Sequence, residues 1–166
     1  FQSKDKDGIV KKLLDKSLKK KTDYVEVTTL SEEDFLIHLC CHLYKEATTW
    51  DWVVNRRDLM LYKFSDINVF LHKYANDIFF SRLINRIKTF HVEKACYYAF
   101  TNAMIIYPRL SELCGFLKNL DAIKPLSTDF MKQVVYPKNK KIYFYDVDFE
   151  TWFNTPDRTQ LLHEIA

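Results

Sequence analysis

The chain has 166 residues, enough for one domain that buries roughly 70% of its unfolded surface. Hydrophobic residues make up 48% and aromatics 16%, with only two glycines and four prolines, which excludes a disordered chain and favours helices. The formal charge of +3 is small, no run of about eighteen apolar residues occurs, and the isolated Gly8 and Gly115 exclude a glycine-rich phosphate cradle.

Phe1–Ser3, without a starting Met, reads as the remnant of an expression tag, leaving residues 4–166 as a single helical domain. Lys4 to Lys21 holds eight lysines against three aspartates. Such a segment can attract phosphates or membranes, but Ile9, Val10, Leu13, Leu14 and Leu18 give it an apolar helical face whose other side must be solvated. It has no interleaved aromatics to stack bases, which argues against a nucleic-acid partner. Lys19 to Asp23 reads as a charged break, and Tyr24 to Thr29 alternates and is β-branched, as a short strand does.

Ser31 with Asp34 three residues later is a capping pattern, and Glu32, Glu33 and Asp34 place negative charge in the first turn. On the helix that follows, Leu36, Leu39, Cys40, Leu43 and Tyr44 fill an apolar arc opposite an ionisable stripe of Asp34, His38, His42, Lys45 and Glu46. Trp50, Trp52 and Val53 read as an apolar linker, and Asn55 to Asp58 as the polar start of a second helix. There Met60, Phe64, Ile67, Leu71 and Tyr74 form a core-facing ridge, with Asp66 inside the helix. Asn76 or Asp77 caps a third helix, lined by Phe79, Phe80, Leu83, Ile84, Ile87 and Phe90. A fourth spans His91 to Tyr107, with Ala95, Ala99 and Ala103 in line so that a neighbour can approach closely, and Pro108 ends it.

The remainder predicts a shorter helix over Leu110 to Leu120, another from Ser127 or Thr128 to Val135, a strand over Ile142 to Phe149, and a closing helix after Thr155-Pro156 that contains Leu161, Leu162 and Ile165. The fold class is therefore mainly α, a multi-helix bundle with a small β element near residues 24–29 and 142–149. Cys40, Cys41, Cys96 and Cys114 form no CxxC pair and read as reduced thiols of a cytoplasmic protein.

The segment from Leu30 to Ile67 carries a resemblance. Its Leu-Ser-x-Glu-Asp opening (Leu30–Asp34), its His-Leu-Cys-x-His helix (His38–His42) and the stretch Phe64–Ile67, with Lys63 two residues ahead of Ser65, resemble the region after the catalytic core in a bacterial family described as uncharacterised nucleotidyltransferases. The resemblance implies a C-terminal, non-catalytic part of a larger protein. Its partner would be an N-terminal core that carries a Gly-Ser turn and paired carboxylates and uses Mg²⁺ and an NTP to transfer a nucleotidyl group. It also implies that His38, His42, Lys45 and Asp66 face the cleft of that core.

Other chemistry is compatible with the same residues. His38 and His42 have the spacing of helical metal ligands, with Asp34, Glu46 or Asp66 available as a third, but the glutamate base of H-E-x-x-H is absent. Hydrogen-bonded imidazoles at an interface are the plainer alternative, leaving no metal site and a protein-interaction domain. Asp146 and Asp148 share one side of a strand, a layout that can hold Mg²⁺. Arg86 and His91 form an Arg-x4-His pattern that would suit a freestanding, toxin-type helical ribonuclease, although Arg158 and His163 repeat the spacing.

Overall fold

The computed structural model describes residues 8–164, without the side chains of Ile9 and Val10. The expected burial of those two side chains, and the place of Ile165 in a closing helix, lie outside the described residues. A short helix α1 (Ile9–Leu14) opens the chain and stops after six residues, leaving Leu14 59% exposed. Leu18 belongs instead to strand β1 (Leu18–Lys21), which covers most of the expected charged break. It pairs antiparallel with β2 (Glu26–Thr29), Leu18 opposite Thr29 and Lys21 opposite Glu26. The turn is closed by Thr22, whose Oγ1 accepts from the Val25 amide at 3.1 Å.

Ser31 caps α2 (Glu32–Ala47), its Oγ accepting from the Asp34 amide at 3.2 Å. Leu36, Cys40 and Leu43 on α2 are fully buried, each apolar side chain contributing about 1.5–3 kcal/mol. The apolar residues expected to form a linker make a one-and-a-half-turn helix, α3 (Trp50–Val54), because Val53 finds a place in the core. Helix α4 (Leu61–Tyr74) buries Phe64, Ile67 and Leu71 completely, while Met60 precedes the helix and stays 40% exposed. Asn76 caps α5 (Asp77–Phe90), accepting from the Phe79 amide at 2.9 Å, and His91 ends it in the left-handed conformation. Helix α6 (Glu93–Ile106) packs most extensively on α2, with Ala99 and Ala103 fully buried and Ala95 nearly so.

After Pro108 the expected helix over Leu110 to Leu120 is two pieces, a 3₁₀ turn Pro108–Glu112 and α7 (Phe116–Ala122). Gly115 separates them at φ 74°, where a side chain would be strained. The expected helix ending at Val135 is only a 3₁₀ turn, Asp129–Lys132, followed by β3 (Gln133–Tyr136); Val134 and Val135 suit a strand, and the Val135 amide also donates to the Thr48 carbonyl at 2.7 Å. The expected strand to Phe149 stops early as β4 (Lys141–Phe144), because Asp148 caps α8 (Phe149–Asn154), its Oδ1 accepting from the Thr151 amide at 2.7 Å. In place of a closing helix there is a 3₁₀ turn, Arg158–Leu161, and β5 (His163–Glu164). The sheet order is β3-β4-β5, all antiparallel.

The fold is thus mainly α with two small antiparallel sheets. Helices α2, α4, α5 and α6 surround one apolar core, and the 3₁₀ turn Asp129–Lys132, β3–β5 and α8 close one end through Phe64–Phe149 and Tyr44–Phe130 ring contacts. Arg158 fastens this end to the start of α4: it donates to Asp58 Oδ1 at 3.1 Å and to the carbonyls of Trp152 and Phe153 at 2.7 Å each.

Candidate functional site: the α2–α4 face

The ionisable stripe on α2 does not form a single solvated surface. Asp34, at its start, is 1% exposed and bound bidentately by Arg86 of α5, through Nε to Oδ1 at 2.8 Å and Nη2 to Oδ2 at 2.5 Å. Beside it Arg82 donates to the buried Glu33 at 2.5 Å. At the other end Glu46 is 3% exposed, and its Oε2 meets the ammonium of Lys63, itself 7% exposed, from α4. Neither carboxylate could stay charged there without its cation.

Between these anchors His38 and His42 are exposed, their rings nearly parallel with centroids 6.1 Å apart. His42 Nε2 lies 3.3 Å from Glu46 Oε1. Partial burial, followed by the charges of Lys63 and Lys45, holds His42 below the usual imidazole range. The lowered imidazole weakens any ion pair with Glu46 at this distance, so the contact is electrostatic and loose. Burial lowers Lys63 as well. The Trp52 and Tyr62 rings, with centroids 6.0 and 5.8 Å from its ammonium, roof the pair while staying substantially exposed.

Lys45 is exposed in the last turn of α2 and close enough to His42 to influence it electrostatically. Asp66, on α4, lines a groove of about 400 Å³ with Phe35 and Leu39 of α2 and Val69, Phe70, Lys73 and Tyr74 of α4. Phe35 and Val69 are 41% and 62% exposed. The sequence-derived residues thus occupy α2 and α4, a packed helix pair, but Asp66 makes no hydrogen bond or ion pair with a described residue. The groups that fix the face are Glu46 and Lys63. In the sequence Glu46 shows as a member of the ionisable stripe and a possible metal ligand, and Lys63 as part of a motif; a Lys beside the buried Phe64 is the signal that could have found the pair.

Arg86 and His91 are not brought together as a catalytic pair. The Arg86 guanidinium is held by Asp34 and lies 4.4 Å from the Phe90 ring centroid, whereas His91 is the exposed left-handed residue that ends α5, at φ 54° and ψ 45°. Asp146 is exposed, with Lys132 at 3.7 Å, and Asp148 is the cap of α8. Among the described residues, no three His, Cys, Asp or Glu side chains are gathered so as to hold a metal ion, and no helix is long and apolar enough to cross a membrane.

This helical scaffold, with its histidine-bearing α2 and lysine-anchored α4, falls within a known class. The family model described as uncharacterised nucleotidyltransferase matches residues 3–108, and the chain belongs to that family. The matched segment runs through the β1–β2 hairpin and α2 to α6 and ends at Pro108, so α7, the three-stranded sheet and α8 lie beyond it. No curated protein and no solved structure matches the chain.

Proposed function

We propose that this chain is the helical, non-catalytic portion of a nucleotidyltransferase, and that its α2–α4 face packs against a catalytic core and supplies groups to that core's cleft. The observation that carries this reading is the treatment of the face. Two buried ion pairs, Asp34–Arg86 and Glu46–Lys63, brace the helix on either side of two exposed imidazoles, beside exposed Phe35, Trp52, Tyr62 and Val69. Costly buried charges that fix exposed polar groups next to bare aromatic surface are what a cleft wall or interface requires.

In this role the Lys45 ammonium would meet a phosphate oxygen, His42, its imidazole held low, would exchange a proton with the acceptor, and His38 and Asp66 would orient that acceptor. The residues of this chain do not fit a Mg²⁺–triphosphate site. It has no glycine-rich turn, and its described carboxylates are separately engaged or isolated. Mg²⁺ and the NTP would therefore be held by the core.

The test is direct: the purified chain is incubated with each α-labelled NTP, Mg²⁺ and a broad set of acceptors. The expected outcome is no transfer above background. Turnover at an enzymatic rate by this chain alone would overturn the proposal.

A further inference from the structure

A second cavity, of about 370 Å³, lies away from the α2–α4 face, between α6, the 3₁₀ turn at Asp129–Lys132, β4 and the start of α8. Its walls are largely apolar, with Ile105, Met131, Phe144, Tyr145 and Phe149 among them. Thr101, Asn102, Thr128, Asp129 and Lys132 break this lining, and two of them are orphaned: Asn102 is 2% exposed and its Nδ2 has no hydrogen-bond partner, and the neighbouring Thr101 Oγ1 is likewise buried and unpartnered. A buried amide donor without a partner is destabilising, so its retention beside an open cavity points to a ligand atom. The terminal torsion of an Asn side chain is soft, so the amide of this lining residue can reorient to meet a ligand.

We propose that this cavity binds a nucleobase. A carboxamide presents a donor and an acceptor side by side, which is the complement of the donor–acceptor edge of a base, and the Thr101 hydroxyl can serve as either partner for a third atom. The aromatic wall is stiff: Tyr145 stacks on the fully buried Trp152 at 3.9 Å and 5°, and its hydroxyl donates to the Met131 carbonyl at 2.8 Å. Rigid aromatic walls suit a flat heterocycle, and the volume suits a base with its sugar at the mouth. Lys132 also lines the cavity, beside Asp129 and 3.7 Å from Asp146, and supplies the cation that a nucleotide's phosphate would meet. This inference does not depend on the α2–α4 reading, because none of the lining residues belongs to α2 or α4.

The experiment is a titration of the full chain with adenosine, guanosine, cytidine and uridine, and with benzoate as an aromatic of similar flatness that lacks the edge. Amide chemical shifts and calorimetry provide the readouts. The expected result is saturable binding of at least one nucleoside, with shifts at Asn102 and Tyr145. Asn102→Leu and Thr101→Val should each raise the melting temperature, since an orphaned polar group is removed, and Asn102→Leu should weaken the nucleoside at least tenfold. The inference is overturned if no nucleoside saturates, if benzoate binds equally well, if shifts map to the α2–α4 groove instead, or if either well-folded variant binds every nucleoside as the unmodified chain does.

Discussion

Lys63→Met isolates the interaction that fixes the α2–α4 face. Lys63 and Glu46 are 7% and 3% exposed, so removing the ammonium leaves a carboxylate with little access to water. Breaking one side of such a pair costs about 3–5 kcal/mol, whereas Lys63→Met combined with Glu46→Leu should return to within about 1–2 kcal/mol of the unmodified protein. For a domain of this size the single change lowers the melting temperature by roughly 10 °C. The loss depends on pH. Lys63 is one of the charges that hold His42 below its usual range, and His42 Nε2 is 3.3 Å from Glu46. Without Lys63, His42 faces an unpaired carboxylate and its folded-state pKa rises. A base raised in the folded state contributes stability that is present below its unfolded value and is lost as pH rises through the folded one. The deficit should therefore be smaller near about pH 5.5 than near about pH 8, as imidazolium takes over from the missing ammonium. Urea denaturation at both pH values, with NMR titration of the His42 ring, provides the check. A loss under about 1 kcal/mol, or an equal loss at both pH values with no rise in His42, would refute the coupling.

Three other changes probe the scaffold. Arg86→Met strands the buried Asp34 and should cost about 3–5 kcal/mol in denaturant, with Arg86→Lys recovering only part because an ammonium cannot reproduce the bidentate fork. Ser31→Ala removes the cap of α2 and should cost about 1 kcal/mol by the same assay. His91→Gly should stabilise by about 1 kcal/mol, since His91 sits at φ 54° where glycine carries no steric penalty; destabilisation would mean that its imidazole has a structural partner.

What the sequence made legible was local. The caps at Ser31 and Asn76 and the buried ridge of Phe64, Ile67 and Leu71 depend on residues within a few positions of one another, and pattern alone located them. The misplaced elements lie where local preference is weak or tertiary. Leu18–Lys21 becomes a strand only because Glu26–Thr29 lies beside it, and the β4 strand yields to α8 at a single Asp cap. At the candidate site, the stripe on α2 was visible as a periodicity, but periodicity could not say that Asp34 and Glu46 are buried. Their cations come from other helices, and pairs such as Asp34–Arg86 and Asp58–Arg158, 52 and 100 residues apart, leave no mark in a linear pattern.

The α2–α4 face is tested most directly in a protein that carries this chain together with a nucleotidyltransferase core, by following transfer of a labelled nucleotidyl group. His42→Ala, Lys45→Ala and Asp66→Ala should each reduce kcat/KM at least tenfold, a transition-state loss of about 1.4 kcal/mol or more, while Lys118→Ala, at an exposed position of α7, leaves it unchanged. Full transfer by all three face variants, each shown to be folded, would contradict a role in the cleft and leave this chain an interaction domain.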